Sequence, residues 1–136
     1  TDDHRLLMND YTRITIPCTF TFSGLLPGRY QIITYGVDAV SRVLPLRVEV
    51  PGASTPIQYS GQGLMPGNQF VLGVTHCAHD LVLAGSSFAM VLSKVNEASQ
   101  APSVNGFQLI YTPVPEPSVA LAFGIGVLGL TRFRRK

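Results

Sequence analysis

The chain has 136 residues, of which 46% are hydrophobic and 13% are charged. This balance excludes a highly charged disordered chain and suits one domain. Four of its ten Lys and Arg residues fall in the last five positions, so residues 1–131 carry six basic and eight acidic groups, a net charge of −2. A body of this charge lacks the basic surface that binds nucleic acid, and we expect no nucleic-acid partner.

The first residues do not resemble a secretory signal, which has a basic start and about 7–15 apolar residues. Asp2 and Asp3 make the start acidic, and only Leu6, Leu7 and Met8 form an apolar run. We therefore expect a processed chain or a fragment. On this view the first domain is either complete or the C-terminal part of a larger domain that begins before Thr1.

The body of the chain is predicted to form short β-strands. Leu46, Val48 and Val50 alternate with Arg47 and Glu49, as expected of a strand with one buried face. Segments with such alternation, or rich in β-branched and aromatic residues, are Thr19–Phe22, Arg29–Tyr35, Leu46–Val50, Gln69–Thr75, Asp80–Ala84, Phe88–Ser93 and Phe107–Tyr111. Several of them are separated by Pro-Gly turns.

The predicted fold class is all-β. Only two segments, Asp38–Val43 and Ser93–Ala101, are expected to hold a helical turn, and the alternation of strand and helix that builds a parallel sheet is missing. Short strands separated by turns favour antiparallel pairing. We therefore expect residues 1–112 to form an antiparallel β-sandwich or jelly roll, followed by a short C-terminal transmembrane helix.

One short pattern occurs twice in the body. Gly24–Gly28 reads GLLPG and Gly63–Gly67 reads GLMPG, and an aromatic residue comes soon after each, Tyr30 and Phe70. Pro followed by Gly suits a type II turn, because Gly accepts a positive φ at little cost. We expect two similar turns, with each aromatic residue near the start of an inward-facing strand.

The chain ends in three segments of different composition. Pro113, Pro115 and Pro117 predict an extended linker over residues 113–117, since proline donates no backbone hydrogen bond. Residues 118–131 carry no charge and are predicted to form a hydrophobic transmembrane segment. The large apolar residues of this membrane anchor are Val119, Leu121, Phe123, Ile125, Val127, Leu128 and Leu130.

A basic tail over residues 132–136 comes after the apolar segment. Fourteen helical residues rise about 21 Å, which is short of the roughly 30 Å hydrocarbon core of a bilayer. Cations directly after such a segment favour an anionic cytoplasmic leaflet, and long basic side chains extend the reach of a short helix. The cations of this tail are Arg132, Arg134, Arg135 and Lys136.

The order of these segments is similar to a known sorting signal. Pro115-Glu116-Pro117, a short apolar segment and a basic end together resemble the PEP-CTERM signal of exported bacterial surface proteins that an exosortase processes. The resemblance implies exosortase as a partner, transient anchoring in the inner membrane, and cleavage near Pro115–Pro117. It further implies delivery to the cell surface or the extracellular matrix.

The densest cluster of reactive side chains is His76-Cys77-Ala78-His79-Asp80. His, Cys and Asp are zinc ligands, but a structural zinc site needs a second pair of ligands that this sequence does not supply. The cluster is also a poor nucleophile pair, because no orienting group can be named. We expect ordinary loop histidines, no metal site and no cofactor.

Cys18 and Cys77 are the two cysteines of the chain. An exported protein favours a disulfide between them, which would close about 58 intervening residues. Two free, buried thiols are the alternative, and the sequence does not decide between them.

Two hypotheses about function remain. The first is a non-enzymatic surface or matrix protein, since no catalytic residues emerge: the eight carboxylates are scattered and no nucleophile motif is present. The alternative is a carbohydrate-binding module that retains exopolysaccharide at the cell surface. Its aromatic platforms would come from Tyr11, Tyr35, Tyr59 and Tyr111, because the chain has no Trp.

Overall fold

A computed structural model describes residues 11–38, 42–67, 69–96 and 100–114. Its strands are β1 (Thr12–Arg13), β2 (Cys18–Ser23), β3 (Gly28–Tyr35), β4 (Leu46–Glu49), β5 (Ile57–Ser60), β6 (His76–Leu83), β7 (Ser87–Lys94), β8 (Ser103–Val104) and β9 (Gly106–Thr112). Within the described ranges no residue is helical. The prediction of an all-β fold is confirmed.

The strands form three antiparallel sheets. A four-stranded sheet has the order β2-β7-β4-β5, a three-stranded sheet the order β6-β3-β9, and β1 pairs with β8. The two larger sheets bury their inner faces in one hydrophobic cluster, which is the arrangement of a β-sandwich. The fully buried large side chains of this core include Ile32, Leu46, Val48, Met90 and Leu92.

Alternation of side chains explains how β3 forms the centre of its sheet. Tyr30, Ile32 and Thr34 are buried, whereas Arg29 and Gln31 are exposed on the opposite face. This period of two matches the pleat of a strand that has one face on the core and the other toward solvent.

The two larger sheets also contact each other along their edges. On one side Phe20 and Phe22 of β2 meet Phe107 of β9, with ring centroids 5.0 and 6.0 Å apart. On the other side the Gln58 amide of β5 donates a hydrogen bond to the carbonyl oxygen of Ala78 in β6. These contacts close both sides of the interior.

Six of the seven predicted strands are found, and one is not. Gln69–Thr75 was expected to be a strand, and this prediction is wrong because the segment folds back on itself. The Thr75 amide donates to the Val71 carbonyl at 2.8 Å, and Gly73 has a positive φ of 81°. β6 begins at His76, four residues before the predicted start, and the sequence did not predict β1, β5 and β8.

The two turns that share a sequence pattern deliver their aromatic residues to different environments. Tyr30 is buried in β3 as expected, and its hydroxyl donates a hydrogen bond to the Leu26 carbonyl at 2.8 Å. Phe70 is 39% exposed and lies outside any strand, so the expectation of an inward-facing strand is wrong for the second turn.

Replacing Tyr30 with Phe is expected to lower the free energy of unfolding by about 1 kcal/mol, because the Leu26 carbonyl loses the donor of a partly buried hydrogen bond. Urea unfolding measures this change. Tyr35→Phe is the matched control, since its hydroxyl donates to Gln108 Oε1 at an exposed position and should matter less. Equal losses for the two variants would contradict the role given to the Tyr30 hydroxyl.

Candidate functional site

The segment that leads into the C-terminal tail is β9, an edge strand of the three-stranded sheet. Thr112 is the last residue of the ladder and pairs with Arg29. The Tyr111 hydroxyl donates a hydrogen bond of 3.2 Å to the Pro27 carbonyl. Pro113 and Val114 are exposed and lie beyond the strand. The chain therefore leaves the folded body directly after the last pair of the sheet.

Residues 115–136 lie outside the described residues. The predicted sorting motif, transmembrane segment and basic tail all fall there, so the structure does not describe them. In the part of the chain that the structure describes, no helix is long and apolar enough to cross a membrane.

The His-Cys-Ala-His-Asp cluster lies on β6 and not in the loop that the sequence suggested. His76, Ala78 and Asp80 are on the outer face of the sheet, whereas Cys77 and His79 are buried in the interior. The two histidines therefore point to opposite faces and cannot bind one metal ion. Among the described residues there is no group of three or more His, Cys, Asp or Glu side chains that could hold a metal.

Both cysteines are free thiols. Cys18 begins β2 and is half-buried, whereas Cys77 is fully buried in β6, in the opposite sheet. Burial raises the pKa of Cys18, and it raises the pKa of Cys77 to about 12. Both groups are therefore protonated at neutral pH, and the thiolate that acts as a nucleophile is scarce.

His79 is a buried polar side chain within the sandwich. Its exposed fraction is 0%, and neither ring nitrogen has a hydrogen-bond partner of normal length and angle, although backbone groups of Val48 and Pro56 lie near the ring. Burial lowers its pKa, an effect that the nearby backbone of Val48 and Pro56 and the charge of Asp80 partly offset. The ring is therefore expected to be neutral at neutral pH.

A shallow cleft of about 680 Å³ lies on the outer face of the three-stranded sheet. The register of the sheet places Arg29 between Val82 and Thr112, and Gln31 between Asp80 and Ile110. The cleft thus mixes apolar side chains, of which Val82 is 69% exposed, with polar groups that can donate and accept hydrogen bonds.

An aromatic cluster lies at the other end of this face. The Tyr35 ring is 5.5 Å from Phe70 and 5.8 Å from His76, centroid to centroid, and Phe70 is 6.3 Å from His76. The Tyr35 hydroxyl donates to Gln108 Oε1 at 3.0 Å. The sequence predicted neither the cluster nor the cleft. The signal in the sequence was Phe70, which comes soon after the second copy of the turn pattern, but the sequence predicted a strand there.

The four tyrosines proposed as binding platforms do not form one surface. Only Tyr35 belongs to the outer face of the three-stranded sheet. Tyr59 lies on β5 in the other sheet, the Tyr111 ring packs 5.2 Å from Tyr30 at the end of the sandwich, and Tyr11 lies next to the Arg13 guanidinium.

Comparison with known proteins identifies the tail. Residues 113–136 match the family model described as the PEP-CTERM protein-sorting motif. The chain carries a PEP-CTERM sorting motif. This motif starts one residue after the end of β9 and implies sorting by an exosortase, with export and membrane-associated processing before the protein reaches the surface. No curated protein and no solved structure shows significant similarity to the chain.

Proposed function

We propose that this chain is a non-enzymatic protein of the bacterial cell surface or extracellular matrix. On this proposal an exosortase removes its C-terminal anchor near Pro115–Pro117 and releases the β-sandwich. The observation that carries the proposal is the position of the PEP-CTERM motif, which begins at residue 113 immediately after the last strand.

The described geometry supports a cleavage that leaves the body folded. The ladder between β9 and β3 ends at Thr112, and the exposed Pro113 and Val114 add no pair to it. A cut after residue 114 therefore removes no backbone pair of the three-stranded sheet. The proline-rich linker also favours an extended chain that a membrane-bound protease can reach.

A non-enzymatic role is supported by how the reactive side chains are distributed. The densest cluster of reactive side chains, residues 76–80, is divided between the two faces of β6, with His79 buried and Asp80 exposed. General acid–base catalysis needs groups positioned together on one substrate.

Mass spectrometry of the C-terminus of the protein isolated from its native host tests the proposal. We expect a chain that ends near Pro117 in the extracellular fraction. Glu116→Gln is expected to retain Lys136 and to stay with the membrane, because the variant alters the sorting motif. The matched control, Glu49→Gln in the body, should be processed normally. Extracellular protein that still ends in Lys136 would show that the proposal is wrong.

A carbohydrate-binding body is the second candidate function. The observation that favours it is the outer face of the three-stranded sheet, where an aromatic cluster and several polar side chains lie on one exposed surface.

A further inference from the structure

We propose that the outer face of the β6-β3-β9 sheet is a binding site for a neutral polysaccharide, with Tyr35 and Phe70 as its aromatic platform. This inference deepens the proposed function, because a domain displayed at the surface meets extracellular polymers there. It is independent of how the tail is processed, and the two proposals can fail separately.

The aromatic end of the face provides a surface for sugar rings. Phe70 is 39% exposed although its ring lies against Tyr35 and His76. The aromatic residue that follows the first copy of the turn pattern, Tyr30, is buried and contributes to the core. Phe70 lies outside any strand, and the exposed part of its apolar ring can stack on the apolar face of a pyranose.

Polar side chains along the same face supply hydrogen bonds for hydroxyl groups. Gln31 and Gln108 lie on neighbouring strands, and each amide can both donate and accept. Asp80 pairs with Gln31 in the register of the sheet and adds an acceptor. Ligand sites typically combine an apolar floor with a few such polar groups that fix orientation.

The length of the face favours a polymer over a single sugar. Arg29 and Tyr35 are six residues apart on β3, so the face extends about 20 Å along the strand. Ile33 and Gln108 lie between the aromatic end and the cleft, and they connect the two into one surface. Several consecutive sugar rings can therefore contact it.

The charge of the face favours a neutral ligand. Arg29 and Asp80 contribute one charge of each sign, and burial lowers the pKa of His76, which keeps that ring neutral at pH 7. The net charge of residues 1–131 is −2, which disfavours an acidic polymer. A neutral polysaccharide meets no such repulsion.

Affinity electrophoresis of the full chain in native gels tests this proposal. The gels contain hydroxyethyl cellulose, galactomannan or dextran as neutral polymers, or alginate as an acidic one. The full chain carries an apolar segment and is kept in a polyoxyethylene detergent. A detergent with a sugar headgroup would compete with the polymer for the site. We expect at least one neutral polymer to retard the protein. The basic tail of the full chain can bind alginate through its charge, so we expect any retardation by alginate to be the same in Phe70→Ala.

Variants then locate the site. Phe70→Ala is expected to weaken retardation about tenfold, and Gln31→Ala is expected to weaken it as well. Tyr59→Ala is the matched control, because Tyr59 is an exposed tyrosine of the other sheet. Thermal unfolding shows whether each variant is folded. C-terminal mass spectrometry of the protein from its host tests the sorting proposal separately.

Several outcomes would overturn the proposal. One is that no neutral polymer retards the protein, and another is that Phe70→Ala abolishes a retardation by alginate. A third is that Tyr59→Ala weakens binding as much as Phe70→Ala. If Phe70→Ala instead dissociates a dimer of the full chain and no polymer binds, the face is an interface between two copies.

Discussion

Replacing Arg42 with Met is expected to lower the free energy of unfolding by about 3 kcal/mol, because the substitution leaves a buried carboxylate with less compensating charge. The Asp38 side chain is 0% exposed, and its Oδ2 lies 3.1 Å from Arg42 Nη2 and 3.8 Å from Arg13 Nη2. Arg42 Nη1 also donates to Gln100 Oε1 at 2.8 Å. Chemical denaturation at pH 7 measures the loss.

An exposed ion pair in the same protein provides the control. Arg47 Nη2 lies 2.7 Å from Glu49 Oε2, closer than either arginine lies to Asp38, but both side chains of this pair are partly exposed. Arg47→Met should therefore cost less than about 1 kcal/mol. Adding Asp38→Asn to Arg42→Met should recover part of the stability, because it removes the buried charge. Equal costs for the two arginine variants would contradict this account.

The strands that the sequence predicted well are those in which apolar and polar residues alternate in the expected sense. In β4, Leu46 and Val48 are buried while Arg47 and Glu49 are partly exposed, as their chemistry suggests. β5 was missed because its alternation is reversed. Ile57 and Tyr59 are exposed while Ser60 is fully buried, an arrangement that depends on the other strands and cannot be read from four residues.

Local hydrogen bonds explain why one predicted strand is absent. The Thr75 hydroxyl accepts from the Val71 amide at 2.8 Å and donates to the Val71 carbonyl at 3.1 Å. These bonds occupy backbone groups that a strand would use in a ladder. Gly73 adopts a positive φ, which interrupts a continuous strand at this point.

The candidate site was less predictable than the sorting signal. A sorting signal is a linear pattern, and residues 113–136 present it in chain order. The aromatic cluster combines Tyr35 of β3, Phe70 of a turn and His76 of β6, so it exists only once the strands are paired. Of the four tyrosines that the sequence offered as binding platforms, only Tyr35 belongs to this cluster, and their role in binding stays a prediction.

Acid is expected to destabilise the body through His79, whose pKa burial lowers from its ordinary value of 6.5. Above pH 6.5 the ring is neutral in both the folded and the unfolded chain, and His79 adds no pH dependence. Below pH 6.5 the unfolded chain takes up a proton that the folded chain does not. The free energy of unfolding therefore falls by at most about 1.4 kcal/mol per pH unit, until the pH reaches the lowered pKa of the folded chain.

Unfolding measured between pH 8 and pH 4.5 in His79→Leu should show a flatter pH dependence than in the natural protein. The variant should also be at least as stable at pH 8, because it removes two buried ring nitrogens that have no hydrogen-bond partner.

His76→Gln is the matched control. Burial lowers the pKa of His76 too, but its side chain is only half-buried on the outer face, so the slope should change less. A slope that His79→Leu leaves unchanged would assign the acid sensitivity to other groups. A flatter slope would show that one buried ring, placed inward by the pairing of β6 with β3, contributes to the acid sensitivity of the β-sandwich.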